Sequence, residues 1–74
     1  MENPRYTVVI RWSDEDRAYL VELPEFAATV MQPVTHGDTY EQALKHGLEV
    51  LETLIEMYRE EGRPLPPLPV REVA

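Results

Sequence analysis

The side chains able to do chemistry are few, and they gather in two places. His36 and His46, the only histidines, stand near Asp38, Glu41 and Glu49. Such a set could ligate a metal or move a proton, and a metal pair on a helix needs ligands at i and i+3 or i+4. His46 and Glu49 have that spacing, but both fall on the polar side of the segment that carries them. A solvated face is the better reading. His36 lies in a turn, where histidine is unremarkable. The second gathering is Asp14, Glu15 and Asp16. Carboxylates hold Mg²⁺ where ligands converge from several elements, whereas three consecutive acids in a turn diverge. A solvated turn is favoured there, with docking of a basic partner as a subsidiary role. A residual nuclease or metal centre would have to draw on Asp14, Asp16, His36 and Asp38. No nucleophile–base–acid set, glycine-rich phosphate loop, HExxH motif or zinc-ligand spacing is present. The residues therefore predict a non-enzymatic protein with no metal and no cofactor.

The first of these groups is positioned by one long periodic stretch, THGDTYEQALKHGLEVLETLIEMYREEGR, from Thr35 to Arg63. Thr39 and Gln42 form a capping-box pattern that marks a helix start. Gly62 can take the left-handed conformation that stops a helix, and Pro64 cannot continue one. Between them Tyr40, Ala43, Leu44, Leu48, Leu51, Leu54, Ile55 and Tyr58 recur at helical spacing. The apolar face so defined is centred on Tyr40, Leu51 and Tyr58. Val50 and Met57 lie about 80–100° to one side of that centre. They widen the stripe beyond what one small sheet covers, so this flank is either an overhang onto the sheet edge or the proline-rich tail, or else a protein interface.

Ahead of the helix, Arg5 to Trp12 alternates with period two and is rich in β-branched and aromatic residues, as a strand requires. Ser13 to Asp16 reads as a turn, and Arg17 to Leu23 as the returning strand. A four-residue loop would place Trp12 opposite Arg17, Ile10 opposite Tyr19, Val8 opposite Val21 and Tyr6 opposite Leu23. That face takes the helix. The other carries Val9 beside Leu20, flanked by Thr7, Arg11, Ala18 and Glu22, and is mixed. Pro24 ends the second strand. Ala27 to Val34 is expected as a third strand, limited to an edge by Pro33, with THGD turning into the helix. Pro64, Pro66, Pro67 and Pro69 then impose an extended, polyproline-like path, read as a rigid spacer rather than a groove ligand. Val70 to Val73 can add a short edge strand. The fold class is α+β: a small antiparallel sheet of three to four strands with one long helix on one face.

Seventy-four residues make one domain spanning 1–74, with 64–74 as its proline-rich tail. A chain of this size buries only ~60% of its unfolded surface, and one core rarely yields more than ~3–5 kcal/mol. It has no cysteine, so disulfides and thiolate metal sites are excluded, and association becomes the expected source of extra stability. Fourteen Asp and Glu against seven Lys and Arg give a formal charge of −7. That balance disfavours direct nucleic-acid binding and favours a basic protein partner. No signal-peptide-like or membrane-spanning run is visible, which makes the cytoplasm the default location.

Two blocks of residues also resemble a known family. VxIxWSxEDxAYxVELPE carries Val8, Ile10, Trp12, Ser13, Glu15, Asp16, Ala18, Tyr19, Val21, Glu22, Leu23 and Pro24. The second block carries Thr35, Gly37, Asp38, Thr39, Glu41, Ala43 and Leu44, and closes on Glu61, Gly62, Arg63 and Pro64. In this order they resemble the N-terminal domain of the HicB family of antitoxin-like proteins, from Tyr6 to about Pro67. The resemblance implies a β-β-β-α-β, partial ribonuclease-H-like fold without catalytic carboxylates. It also implies a role in neutralising a small basic HicA toxin that cleaves messenger RNA, and assembly into dimers or higher oligomers. Family members usually read LPGCVTxGDT before the helix; this chain has the longer FAATVMQPVTHGDT, without the Gly-Cys pair. The DNA-binding domain that full antitoxins carry finds no room after the helix, so operator binding is not implied.

The reading that follows is a HicB-like binding protein occluding a basic toxin. Its candidate contacts are the Val9/Leu20 face, the Asp14–Glu15–Asp16 turn and the Val50/Met57 flank. A stand-alone oligomeric scaffold or regulatory module, dimer or tetramer, is the alternative.

Overall fold

The first hairpin follows from its side chains. In the computed structural model, which describes residues 5–69, strand β1 (Val9–Ser13) runs antiparallel to β2 (Ala18–Glu22). Val9 faces Glu22, Ile10 faces Val21, Arg11 faces Leu20, Trp12 faces Tyr19 and Ser13 faces Ala18. The register expected from the sequence is thus displaced by two residues, since Ile10 meets Val21 and not Tyr19. A shift of two leaves every side chain on its original face, so alternation alone cannot select between the two registers. The loop does. Arg17 enters it with a φ of 55°, and its N–H donates to the Ser13 carbonyl at 2.8 Å. The Ser13 hydroxyl accepts from the Asp16 N–H at 3.2 Å. The loop therefore occupies residues 14–17 rather than 13–16.

The third strand is not where it was expected. Ala27 to Val34 forms no strand. Pro24 instead opens a 3-10 turn over Pro24–Phe26, and Phe26 drops into the interior with no solvent exposure. The Thr29 and Val30 N–H groups both return to the Phe26 carbonyl, at 3.1 and 2.8 Å. Burying a phenylalanine is worth about 1.5–3 kcal/mol, more than a short exposed edge pairing supplies. The Gln32–Pro33 peptide is cis. The Gln32 side chain then takes the place of a strand neighbour: its Oε1 accepts from the Leu23 N–H at 2.8 Å, and its Nε2 donates to the Leu23 carbonyl at 3.2 Å. Pairing resumes where the Val34 N–H donates to the Val21 carbonyl at 2.9 Å. Strand β3 (Thr35–Gly37), expected to be a turn, sets Thr35 against Val21 and Gly37 against Tyr19. The sheet order is β1-β2-β3, antiparallel throughout.

Helix α1 (Tyr40–Glu60) begins and ends as its residues dictate. The Thr39 hydroxyl accepts from the Gln42 N–H at 3.0 Å. The Gln42 side chain reaches one residue further back than a capping box requires, to the Asp38 N–H at 2.8 Å. At the other end Gly62 has a φ of 69°, its N–H meets the Arg59 carbonyl at 3.2 Å, and the Arg63 N–H meets the Tyr58 carbonyl at 2.9 Å. This is the two-bond Schellman ending.

Two glycines let the helix approach the sheet. A Cβ on Gly37 would lie 2.5 Å from the Ala43 backbone nitrogen, and one on Gly47 would lie 2.8 Å from Val21 Cγ1. The buried stripe accordingly runs Ala43, Gly47, Leu51, Leu54, Tyr58. Of the expected centre, Leu51 and Tyr58 are buried and Tyr40 is not, and Leu44 and Leu48 on its side are also left exposed. Leu23, Phe26, Leu51, Leu54 and Tyr58 form the core, with Tyr6, Val8, Val30, Val34, Val50, Ile55 and Leu65 packed around it. Phe26 meets both Tyr6 and Tyr58 edge-on, with ring centres 5.1 and 5.6 Å apart. After the helix the extended path passes Tyr6, whose hydroxyl donates to the Pro66 carbonyl at 2.6 Å. The short strand expected over Val70 to Val73 lies outside the described residues.

Replacing Gly37 by alanine should cost about 1–3 kcal/mol through overpacking against backbone, read as a lower urea midpoint. A Gly37→Ala chain as stable as the parent would contradict the close approach. Burial, and then the Glu25 carboxylate, raise the Tyr6 phenol above its usual 10.0. The folded state thus favours the neutral phenol. The stabilisation is complete below the unfolded value near ~10 and is lost as pH rises through the raised folded value. Thermal midpoints should fall across that alkaline window, with a smaller fall in Tyr6→Phe. Parallel falls in the two chains would oppose this assignment.

Candidate partner-binding surface

The hairpin tip holds its acids in local bonds. The Asp14 Oδ1 accepts from the Trp12 indole Nε1 at 2.8 Å, and the Asp16 Oδ2 accepts from the Ser13 hydroxyl at 3.1 Å. Asp14, Glu15 and Asp16 are all exposed. Among the described residues, no three His, Asp or Glu side chains come together in a way that could hold a metal ion. Asp14, Asp16, His36 and Asp38 therefore do not assemble into one centre.

His46 has a structural bond that the polar-face reading missed. Its Nδ1 lies 2.7 Å from the backbone carbonyl of His36, which links the helix to β3. The His36 ring itself is exposed. Thr35, His36, His46, Glu49, Val50, Thr53 and Leu54 line an open hollow of about 460 Å³ between β3 and the helix. Val50 is half-buried and packs against the core, so it belongs to the interior more than to an outer flank. Met57 remains exposed. The two expected flank residues thus part company.

The Val9/Leu20 pairing also changes with the register. Val9 stands opposite Glu22, and Leu20 stands between Arg11 and His36. Arg11 and Glu22 form an ion pair of 2.9 Å across this face, with the Arg11 Nε a second donor at 3.2 Å. Val9 and Leu20 are half-buried beside it. The face is mixed, as its composition indicates, but it is bridged by charge and lacks a continuous apolar pair.

A run of exposed apolar side chains that adjoin one another lies elsewhere. Trp12 and Tyr19 meet edge-on with ring centres 5.0 Å apart, and Tyr19 meets Tyr40 at 4.2 Å. Trp12 is 45% and Tyr40 59% exposed. From Tyr40 the stripe continues to Leu44 and Leu48, which are 44% and 37% exposed, at the i+4 spacing that stacks side chains along a helix. The rings connect the hairpin tip to the first turn of the helix. This surface could have been found in the sequence by placing the helix on its single glycine, Gly47, instead of on its leucines. Burial then shifts toward Ala43 and Gly47, and Leu44 and Leu48 move outward.

No helix among the described residues is long and apolar enough to cross a membrane. No protein-family model, curated protein or solved structure matches the chain.

The indole of Trp12 is exposed beside a carboxylate, and it is the only tryptophan in the chain. Its fluorescence should be quenched more strongly by caesium than by iodide at matched ionic strength, because the local potential concentrates cations. Asp14→Asn should narrow the difference. An iodide slope equal to or above the caesium slope would contradict this description of the tip.

Proposed function

We propose that this chain is a HicB-like binding protein that sequesters a small basic, mRNA-cleaving toxin of the HicA type. The observation that carries this reading is the uncompensated negative charge. Fourteen acids face seven Lys and Arg, and among the described residues only Arg11–Glu22 and Arg63–Glu61 form ion pairs. An RNA-cleaving protein must present cationic groups to a polyanion. An acidic domain competes for that same surface, and its field also accelerates encounter with a basic partner. Occlusion needs no catalytic group in the inhibitor. The two blocks of residues that resemble the family support the same reading, and the cytoplasm, where messenger RNA is translated, is the location that goes with it.

Self-association is a second reading, favoured by the exposure of Tyr40, Leu44, Leu48 and Met57 in so small a chain. It predicts a dimer or tetramer by light scattering at micromolar concentration, and a monomer would exclude it. The toxin reading is tested by co-expressing the chain with a basic protein encoded beside it. The two should co-purify as a complex, and RNA cleavage by the basic protein should fall to background once the chain is present in stoichiometric amount. Raised salt should weaken the complex. A neighbouring nuclease that neither co-purifies nor loses activity in excess chain would overturn the proposal.

A further inference from the structure

We propose that the exposed stripe of Trp12, Tyr40, Leu44 and Leu48 is the seat for a basic amphipathic helix of a partner protein. The inference rests on the sequestration reading and locates it on the surface. Three observations meet here. The first is shape: Tyr40, Leu44 and Leu48 form one ridge about 12 Å long, the length of two helical turns, which another helix accepts between its own side-chain rows. The second is composition. Tryptophan and tyrosine are over-represented among residues that dominate binding energy, and here Trp12 and Tyr40 are braced by Tyr19 between them. They are held in place before a partner arrives, which lowers the ordering cost of association.

The third observation is charge. The Asp14 carboxylate is fixed against the Trp12 indole edge, leaving the ring face and the carboxylate side by side. That is a seat for a guanidinium or ammonium group, which gains from both. On the helix, Glu41 and Glu52 border the Leu44–Leu48 stripe on its solvent side by the helical repeat, against the single cation Lys45. A second copy of this chain would bring the same acidic rim against itself, in a protein whose charge is already −7. A partner helix with leucine-like residues on one face and Arg or Lys flanking them complements both the apolar stripe and its rim.

Trp12 reports on its own site. The probe is a synthetic amphipathic helical peptide of leucine and arginine, titrated into the full chain while Trp12 emission is followed. The expected result is a saturable blue shift. A peptide of the same composition with its helical pattern scrambled should bind about tenfold more weakly. Leu44→Asp and Tyr40→Ala should each weaken binding by about tenfold, while Met57→Asp, also exposed but on the other flank, leaves it unchanged. Far-UV circular dichroism and urea midpoints confirm that the variants are folded; where Leu44→Asp does not fold, Leu48→Gln takes its place. Equal binding of the patterned and scrambled peptides overturns the proposal, as does an equal loss in Met57→Asp. So does a native dimer that Leu44→Asp converts to monomer, which would give the stripe to a second copy. Failure of toxin sequestration with Leu44-dependent peptide binding intact would remove the toxin as partner and leave the seat standing.

Discussion

Gly37 and Ala43 meet backbone to backbone. Any side chain on Gly37 would collide with the amide nitrogen of Ala43. This contact sets the height of the helix over the sheet and, with Gly47 over Val21, sets its rotation about its own axis. Once that rotation is fixed, the sorting of side chains between interior and solvent follows. Ala43, Leu51, Leu54 and Tyr58 turn inward; Leu44 and Leu48 turn out. Small residues at the seat thus decide what larger residues elsewhere can do. A helix placed by its leucines would have hidden the stripe that is in fact exposed.

The segment between β2 and β3 solves a different problem. Leu23 is wholly buried, yet its backbone N–H and carbonyl have no strand beside them. A buried unpaired amide is costly, about 1–3 kcal/mol by mutational measures. Gln32 supplies the acceptor for the N–H and a second donor to the carbonyl, which the Phe26 N–H also reaches at 2.9 Å; its Nε2 donates to the Val30 carbonyl as well, at 3.2 Å. Nearby, the Tyr58 and Thr29 hydroxyls bond to each other, and Arg63 covers the Tyr58 ring at 4.4 Å. No buried side-chain nitrogen or oxygen among the described residues is left without a partner. The segment between β2 and β3 is therefore a packed and hydrogen-bonded part of the core.

Much of this was legible from residue types, and the failures have physical causes. Thr39, Gln42 and Gly62 act within one or two turns of themselves, so the helix ends are where their chemistry places them. The α+β class follows from the same local signals. The hairpin register escaped because a two-residue slip preserves every face, and the choice fell to Arg17 adopting a conformation that arginine seldom takes. The third strand escaped because the apolar stretch from Ala27 to Val34 passes for an edge strand, while the gain from burying Phe26 is non-local and invisible to a window of that length. Of the surface residues, the acids of the hairpin tip were found by type alone. Leu44 and Leu48 were assigned to the interior, since hydrophobicity indicates that a residue prefers burial but not whether the geometry grants it.

Tyr6 and Pro66 are separated by 60 positions and joined by a single hydroxyl-to-carbonyl bond. Leu65 reinforces the joint by packing against the core beside Tyr6. The chain is in effect a closed ring, with its first and last described segments clasped at one corner of the domain. Tension applied to either end loads that same corner, so the residues ahead of β1 and the proline-rich segment share the load while β1 stays paired with β2. The helix and the hairpin tip feel the pull only after the clasp has opened.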